Sequence, residues 1–412
     1  MDQPKLVITG MGAVTPVGIG VEPFWKNLID GRCGVGPITR FDASGLPVRI
    51  AAEVDMFDPA NYLPKSLMRN SDPFMQYAYI AAAESLGADG LPALPDRMGI
   101  VMGTSMSGIS TIAQTQEELT KLSRKQVGPR FIPKVLGNVA AANIAIQKGI
   151  QGPSLTVSTA CSSGADAIIT AAMLLMMGEA DAVVAVGAES ILCPLVIYSL
   201  SNARALSRRN EDPLGASRPF DKDRDGFVIG EGGGAVVLET EEHAKARGAK
   251  ILAELIGWGN NSDAHHVTEP REDGSLAAVC MEKALRRAKI TPEQVDYINA
   301  HGTGTKLGDK AEASALHTVF GAHIPPVSST KGATGHMMGA GGITEAIACI
   351  LAMRDSVLPP TLNLETPDPD CPLDCVAGTA RQQEVNICMT NAFGFGGQNS
   401  SLLLKKPSAA SN

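Results

Sequence analysis

A cysteine in the stretch LTVSTACSSGADAII, residues 155–169, stands where an apolar β-like run gives way to a helix of small residues. At that junction Cys161 meets the free N–H groups and partial positive charge of a helix N-terminus. Both favour thiolate over thiol, so the position predicts a pKa below the ~8.5 of a free cysteine. Thr159, Ala160, Ser162, Ser163 and Gly164 leave room for a substrate to reach the sulfur and for the backbone to turn sharply. A buried, inert cysteine would suit the same run. Chemistry becomes the stronger reading further along the chain, which has only seven histidines. His301, in YINAHGTGTKLGDKAEA, ends one apolar strand, and Lys331 and His336, in SSTKGATGHMMGAGGITEA, follow another. In parallel α/β sheets the loops after the strands gather at one face, where ligands bind. Three such loops carrying Cys, His and His form a constellation suited to covalent catalysis by a nucleophile. A fourth segment, NAFGFGGQNSSL at 391–402, is expected after the last strand. Its glycines beside Phe393 and Phe395 permit close backbone approach, so an N–H there could complete an oxyanion hole. A tight turn with two core phenylalanines is the plainer alternative.

The elements that must hold these residues alternate along the chain. Strands are predicted at Lys5–Thr9, Arg97–Met102, Leu155–Ser158, Ala182–Val186, Gly234–Glu239, Ala253–Trp258, Tyr297–Ala300, Val327–Ser329 and Asn386–Met389. Helices are predicted at Asp72–Leu86, Gly164–Met177, Gly274–Arg287, Gly308–Phe320 and Gly341–Arg354. That alternation points to an α/β fold with mostly parallel sheets. Helix 72–86 followed by DRMGIVMGTSMSG is echoed by helix 274–287 followed by VDYINAHGTGTKLG, as in two related halves meeting near residue 250. TGMG at 9–12 reads as a turn after the first strand, and KKPSAASN as a frayed tail.

With 412 residues, 44% hydrophobic and 19% charged, the chain can bury a large core. A net charge of −8 disfavours nucleic acid and anionic membrane as partners, local basic patches aside. No signal peptide or membrane-length apolar run is visible, so a cytoplasmic protein is expected. Of the eight cysteines, the seven other than Cys161 read as buried small apolar residues in a reducing compartment. Cys371 and Cys375, in CPLDC, lack a second ligand pair, and no metal is expected. GFVIGEGGGAVVLE has dinucleotide-like glycine spacing, but a strand follows it where a helix is required. DKDRDGFV, from Asp221, lacks the closing glutamate of a calcium loop.

Taken together, VITGMGAVTPVG, STACSSGADAI, ASRPFDKDRDGFVIGEGGGAVVLE, NAHGTGTKLGDKAE, STKGATGHMMGAGGITEA and NAFGFGGQN resemble the β-ketoacyl-[acyl carrier protein] synthases, type II elongating, of the thiolase-like superfamily. The resemblance spans about Leu6 to Leu404. It implies a five-layer αβαβα fold of two pseudo-duplicated halves: residues 1–251 with the nucleophile, and 252–412 with the histidines. The Cys-His-His set separates the chain from initiating synthases, which use Cys-His-Asn, and from thiolases, which use a second cysteine. The implied activity is decarboxylative Claisen condensation of a malonyl thioester with an acyl group held on Cys161, in fatty acid biosynthesis. A ketosynthase of a specialised pathway, aryl polyene or type II polyketide, is the alternative. Ala392 and Gln398 stand where the family more often has Ser and Thr, and TACSSG is shared with polyketide ketosynthases.

By resemblance, Cys161, His301, His336 and Lys331 are catalytic, and the N–H groups of Cys161 and Phe395 form the oxyanion hole. Which histidine activates a water during decarboxylation stays open. Lys331 either orders the site by pairing with Glu345 or is simply a buried salt bridge. Thr303 and Thr305 either bind the pantetheine amides or shape their turn. Met106 gates the acyl pocket, and Phe393 and Phe395 line the approach, Phe395 as a moving gate. No cofactor is implied, since substrates arrive on the phosphopantetheine of acyl carrier protein. That acidic partner would dock on Lys65, Arg69, Arg124, Lys125, Arg130, Arg208 and Arg209, unless these are ordinary solvated charges. A homodimer is implied, and neither nucleic acid nor membrane is an expected partner.

Overall fold

The computed structural model describes residues 4–55, 57–87, 95–121 and 126–408. Its first half contains β1 (Leu6–Thr15), α1 (Pro73–Leu86), β2 (Met98–Gly103), α2 (Gly137–Lys148), β3 (Ser154–Val157), α3 (Ser163–Met176), β4 (Ala182–Glu189) and β5 (Gly232–Thr240). The second half repeats the series as β6 (Ala253–Ser262), α4 (Ser275–Ala288), β7 (Tyr297–Asn299), α5 (Lys306–Phe320), β8 (Val327–Ser328), α6 (Gly341–Asp355), β9 (Ile387–Gly394) and β10 (Gln398–Lys405).

These strands form one ladder, β8-β7-β9-β10-β6-β1-β5-β4-β2-β3. Its seam is the short antiparallel pairing of β1 with β6, Leu6 opposite Leu255. Outward from the seam both sides run in the same order: first strand, fifth, fourth, second, third. On each side the second strand pairs in parallel with the third and fourth, and the fifth is antiparallel to its neighbours. The sequence echo therefore extends through the whole strand order.

Apolar residues on alternate sides of the strands explain the layering. In β4, Val183 and Ala185 pack with Ile168 of α3 and Ile347 of α6, while Val184 and Val186 pack with Phe74 of α1 and Ala140 of α2. In the second half Leu402 and Leu404 face the central helices, and Leu403 faces Met281 of α4 and Leu316 of α5. Strands buried on both faces need such near-continuous apolar runs. The result is helix, sheet, helix, sheet, helix. The central helices α3 and α6 can cross closely because glycines face each other: a Cβ on Gly164 would lie 2.7 Å from the Gly339 carbonyl oxygen, and one on Gly342 2.8 Å from the Ala165 nitrogen.

Four sequence expectations change. The sheet is mixed, not mostly parallel, because β1, β5, β6 and β10 pair antiparallel with their neighbours. TGMG is no turn: β1 continues to Thr15 past a register shift between Ile8 and Gly10, its glycines lying against the backbone of α1. The segment at 391–402 does not follow the last strand: Asn391–Gly394 completes β9 and Gln398 begins β10, leaving only a tight turn between them. Its polar residues look loop-like in sequence but bond to one another, Ser401 Oγ donating to Asn391 Oδ1 at 2.8 Å. Helices at Val21–Ile29, Ile109–Lys121 and Pro194–Asn202, and α2, were not expected. Among the described residues, no helix is long and apolar enough to cross a membrane.

Candidate active site

Strand β3 ends in a sharp elbow. Ala160 has φ +50°, left-handed for a residue with a Cβ, and a single 3-10 turn then leads through Cys161 into α3. Ser163 Oγ accepts the Thr159 N–H at 2.9 Å and donates to the Ala160 carbonyl at 2.7 Å. The turn between β9 and β10 presses on this elbow: a Cβ on Gly394 would lie 2.6 Å from the Thr159 carbonyl oxygen.

Both histidines arrive from the second half, after β7 and β8. His336 Nε2 lies 3.0 Å from Cys161 Sγ. The His301 ring stands perpendicular to that of His336, with centroids 5.3 Å apart. Phe227 packs edge-on to His336 at 5.3 Å, and Phe393 to His301 at 5.8 Å. Met338 Sδ is 3.9 Å from the cysteine sulfur.

Burial decides the electrostatics. It pushes the Cys161 thiol up to about 11, against backbone N–H bonds from Phe395 and Cys161 and the charge of Lys331, which favour the thiolate. The thiolate expected from the helix end is thus corrected: desolvation outweighs the favourable N–H groups. Burial, then the charge of Lys331, holds both imidazoles well below their usual range. A neutral thiol therefore faces a neutral imidazole that can accept its proton. Lys331, 1% exposed, forms an ion pair with Glu345 behind the rings. Burial pushes the Glu345 carboxyl up while Lys331 pulls it down.

Buried carboxylates that the motifs did not single out hold the loops. Glu189 accepts from Ser105 N (2.6 Å), Ser105 Oγ (2.5 Å), Thr104 Oγ1 (3.1 Å), Met106 N (3.2 Å) and Gly339 N (3.3 Å). Glu312 accepts the N–H groups of His301 and Gly302 at 2.9 and 2.8 Å, and burial raises it to about 7. Asp309 accepts from Gly304 N and Phe220 N at 3.1 and 2.8 Å. The available sequence signal was a lone acid within a run of small residues, as in VGAES and KAEAS.

A cavity of about 720 Å³ brings together Cys161, His301, His336, Met106, Thr303, Thr305, Phe393 and Phe395. Thr303 and Thr305 hydroxyls bond each other at 3.0 Å. Ile191, Leu200, Phe227 and Met338 supply apolar wall, and Arg204, Arg271 and Lys306 supply cations. Phe227 belongs to the glycine-rich stretch discounted as a dinucleotide loop, so that stretch does line the site. Lys331 and Glu345 are not on the cavity wall. The five predicted docking cations among the described residues lie outside it: Lys65 and Arg69 are exposed on the helix Lys65–Asn70, and Arg130 donates to Asn70 at 2.7 Å. Arg208 is exposed, and Arg209 donates to the Asp223 carbonyl at 2.8 Å. Arg124 and Lys125 lie outside the described residues.

All eight cysteines are free; of the seven expected to be buried, Cys33 and Cys375 are only partly buried, packed against the edge of the core. Among the described residues, no three His, Cys, Asp or Glu side chains are grouped to hold a metal ion.

The β-ketoacyl synthase N-terminal domain matches residues 3–244, and the C-terminal domain of the same family matches residues 252–365. The chain belongs to the β-ketoacyl synthase family. It is 44% identical to the 3-oxoacyl-[acyl-carrier-protein] synthase 2 of Coxiella burnetii, over 98% of this chain and 99% of the relative. Among solved structures, a β-ketoacyl synthase from Burkholderia phymatum superposes with a TM-score of 0.91 at 36% identity, covering 98% of this chain and 100% of that one. The ketosynthase complex AntDE:AntF, described as a type II polyketide synthase acyl-carrier protein with its ketosynthase bound to the hexaketide, matches with a TM-score of 0.91 at 31% identity. That match covers 99% of this chain and 100% of the other. The thiolase-like fold expected from the motifs is thus the fold of the family.

Proposed function

We propose that the protein is an elongating 3-oxoacyl-[acyl carrier protein] synthase, an acyltransferase of fatty acid biosynthesis. The observation that carries this reading is the cysteine sulfur 3.0 Å from one neutral imidazole, with a second imidazole perpendicular to the first, in one cavity. In the first step Cys161 Sγ attacks the carbonyl of an acyl thioester, and His336 Nε2 takes the thiol proton. The Cys161 and Phe395 N–H groups receive the tetrahedral oxyanion. Its collapse expels the phosphopantetheine sulfur, which takes the proton from His336. In the second step a malonyl thioester binds and loses carbon dioxide. The electron pair of the broken C–C bond becomes an enolate, whose oxygen meets N–H groups of His301 and His336. With Cys161 acylated, the neutral His336 ring presents Nε2–H once its proton has shifted from Nδ1 to Nε2 through water. In the third step the enolate carbon attacks the acyl-Cys161 carbonyl, and the C–S bond breaks to release the β-ketoacyl thioester and the Cys161 thiolate, which takes up a proton from solvent. Lys331, paired with Glu345, acts behind the rings by keeping both imidazoles neutral.

The same reading takes Met106 as the acyl gate, Thr303 and Thr305 as pantetheine contacts, Phe395 as the moving gate, and residue 251 as the end of the first half. It requires no cofactor. Acyl carrier protein would approach over Lys65, Arg69, Arg130, Arg208 and Arg209, in the cytoplasm. A homodimer is supported by β3, an edge strand with Leu155 44% exposed, which offers unpaired backbone to a second copy.

A ketosynthase of a specialised pathway remains the second reading, favoured by Ala392, Gln398 and the AntDE:AntF likeness. The 44% identity to an elongating synthase, against 31% for that complex, supports the first. The deciding experiment supplies acyl and malonyl carrier proteins and follows acyl-Cys161 and β-ketoacyl product by mass spectrometry. An adduct followed by product from saturated acyl chains is expected; an unmodified Cys161 with no decarboxylation would overturn the condensing role.

A further inference from the structure

We propose that Asp166 is a positioning residue that sets the spacing between the two oxyanion donors, the N–H groups of Cys161 and Phe395. The inference rests on the condensing reading above. The two donors come from separate parts of the fold. Cys161 follows β3, the last strand at one end of the ladder, whereas Phe395 lies between β9 and β10 in the other half. Each must nevertheless meet the same substrate oxygen at hydrogen-bond distance.

One carboxylate joins the two segments. Asp166 Oδ2 accepts from Thr159 Oγ1 at 2.5 Å and from Ser162 Oγ at 3.1 Å, the residues flanking Ala160 and Cys161. Its Oδ1 accepts from Ser400 Oγ at 2.6 Å and Asn260 Nδ2 at 2.8 Å. Ser400 is on β10 opposite Ala392 of β9, so it belongs to the hairpin whose turn carries Phe395. Asn260, on β6, pairs with Ser400 from the other side.

Asp166 is 6% exposed and accepts from Thr159, Ser400 and Asn260, while the single Ser162 hydroxyl proton is shared with the Thr159 carbonyl at 2.8 Å. It lies in the first turn of α3, where the helix end favours a negative charge. The elbow needs a restraint, since Ala160 at φ +50° is held in a left-handed region unfavourable to a residue with a Cβ. Bonds to the residues on either side of Ala160 and Cys161 supply it, and the bonds to Ser400 and Asn260 reference it to the second donor.

A carboxylate that merely stitched the halves together would affect every reaction at the sulfur alike. Two reactions separate the cases. Acyl transfer from a thioester passes through an oxyanion and needs both N–H groups. Alkylation by iodoacetamide displaces iodide at a saturated carbon and forms no oxyanion, so the same N–H groups act on it only through the thiolate fraction, which a pH profile separates. In Asp166→Asn the side chain keeps its size but loses its charge and one acceptor oxygen, and its NH2 must turn a hydroxyl into an acceptor or confront Asn260 Nδ2, so the bridge is weakened. Acyl transfer from an acyl carrier protein to Cys161 is expected to fall about 10- to 100-fold. The iodoacetamide rate at its high-pH plateau, where the sulfur is fully ionised, should stay within about twofold. Ser400→Ala, which keeps the carboxylate and cuts the bridge on one side only, should lower acyl transfer selectively by a smaller factor, and it decides the matter where Asp166→Asn fails to fold. Equal loss of both rates, or loss of neither, would overturn the proposal. A wild-type protein that is alkylated but never acylated would overturn the condensing reading instead.

Discussion

The two halves share one strand order and differ in what their loops carry. After the third strand the first half makes a short elbow that delivers Cys161 to a helix end. The corresponding loop of the second half is longer and delivers Lys331 and His336. After the second strand, the first half presents Thr104 to Met106 bonded to Glu189, and the second presents His301 and Gly302 bonded to Glu312. After the fourth strand, the first half wanders from Ser190 to Glu231 and supplies apolar cavity wall, while the second turns at once and supplies Phe395. In the proposed function the duplicated scaffold is divided by labour: the sulfur and acyl wall lie on one side, and the proton-handling groups on the other. A buried carboxylate anchors the loop after the second strand in each.

That division can be broken outright. Cys161→Ala should abolish the acyl-enzyme and lower condensation by roughly 10⁴- to 10⁶-fold. Carbon dioxide release from malonyl thioester, which draws on the second half, should persist; its disappearance in a folded variant would show that the labour is not divided. The histidines sharpen the same point. His301→Ala should lower decarboxylation by about 10²–10³-fold, yet leave single-turnover acylation of Cys161 within a few-fold. His336→Ala should depress both steps, because its ring alone is placed to take the thiol proton.

Lys331→Met tests the ion pair behind the rings. Leaving Glu345 buried without a partner should cost about 3–5 kcal/mol, read as a lower Tm, and adding Glu345→Leu should recover most of it. The pH profile follows from the depressed imidazoles. Protonating a ring removes a proton acceptor, and both rings stay neutral well below the ordinary histidine range. The acid limb of kcat should therefore lie below pH ~6.5, and loss of the Lys331 charge should move it upward. The smallest effect is expected at the gate. Met106→Ala should shift the preference among acyl chain lengths about tenfold or less while leaving decarboxylation unchanged, as competition among acyl carrier proteins would reveal.

Much of the site was legible because its residues sit in unusual company. Cys161 among small residues, and His301 and His336 in Gly-Thr loops after apolar strands, stand out without any neighbour known. The alternating elements and the paired helix–strand echo likewise foreshadow two related halves. What escaped depends on distant partners. Asp166, Glu189 and Glu312 look like single acids until the fold brings their donors together. The charge state of Cys161 was misjudged because a helix end is visible in sequence, whereas enclosure by Met338 and the histidine rings is not. Strand β10 was missed because Asn399, Ser400 and Ser401 are polar, and only their partners across the sheet explain their burial.

The protonated resting state of the sulfur has a bearing on chemical damage. Peroxides and soft electrophiles consume thiolates far faster than thiols. A cysteine that rests mainly as the thiol offers such reagents less to attack between turnovers. Enclosure thus gives the protein selectivity about when its sulfur is reactive, as well as about what it reacts with.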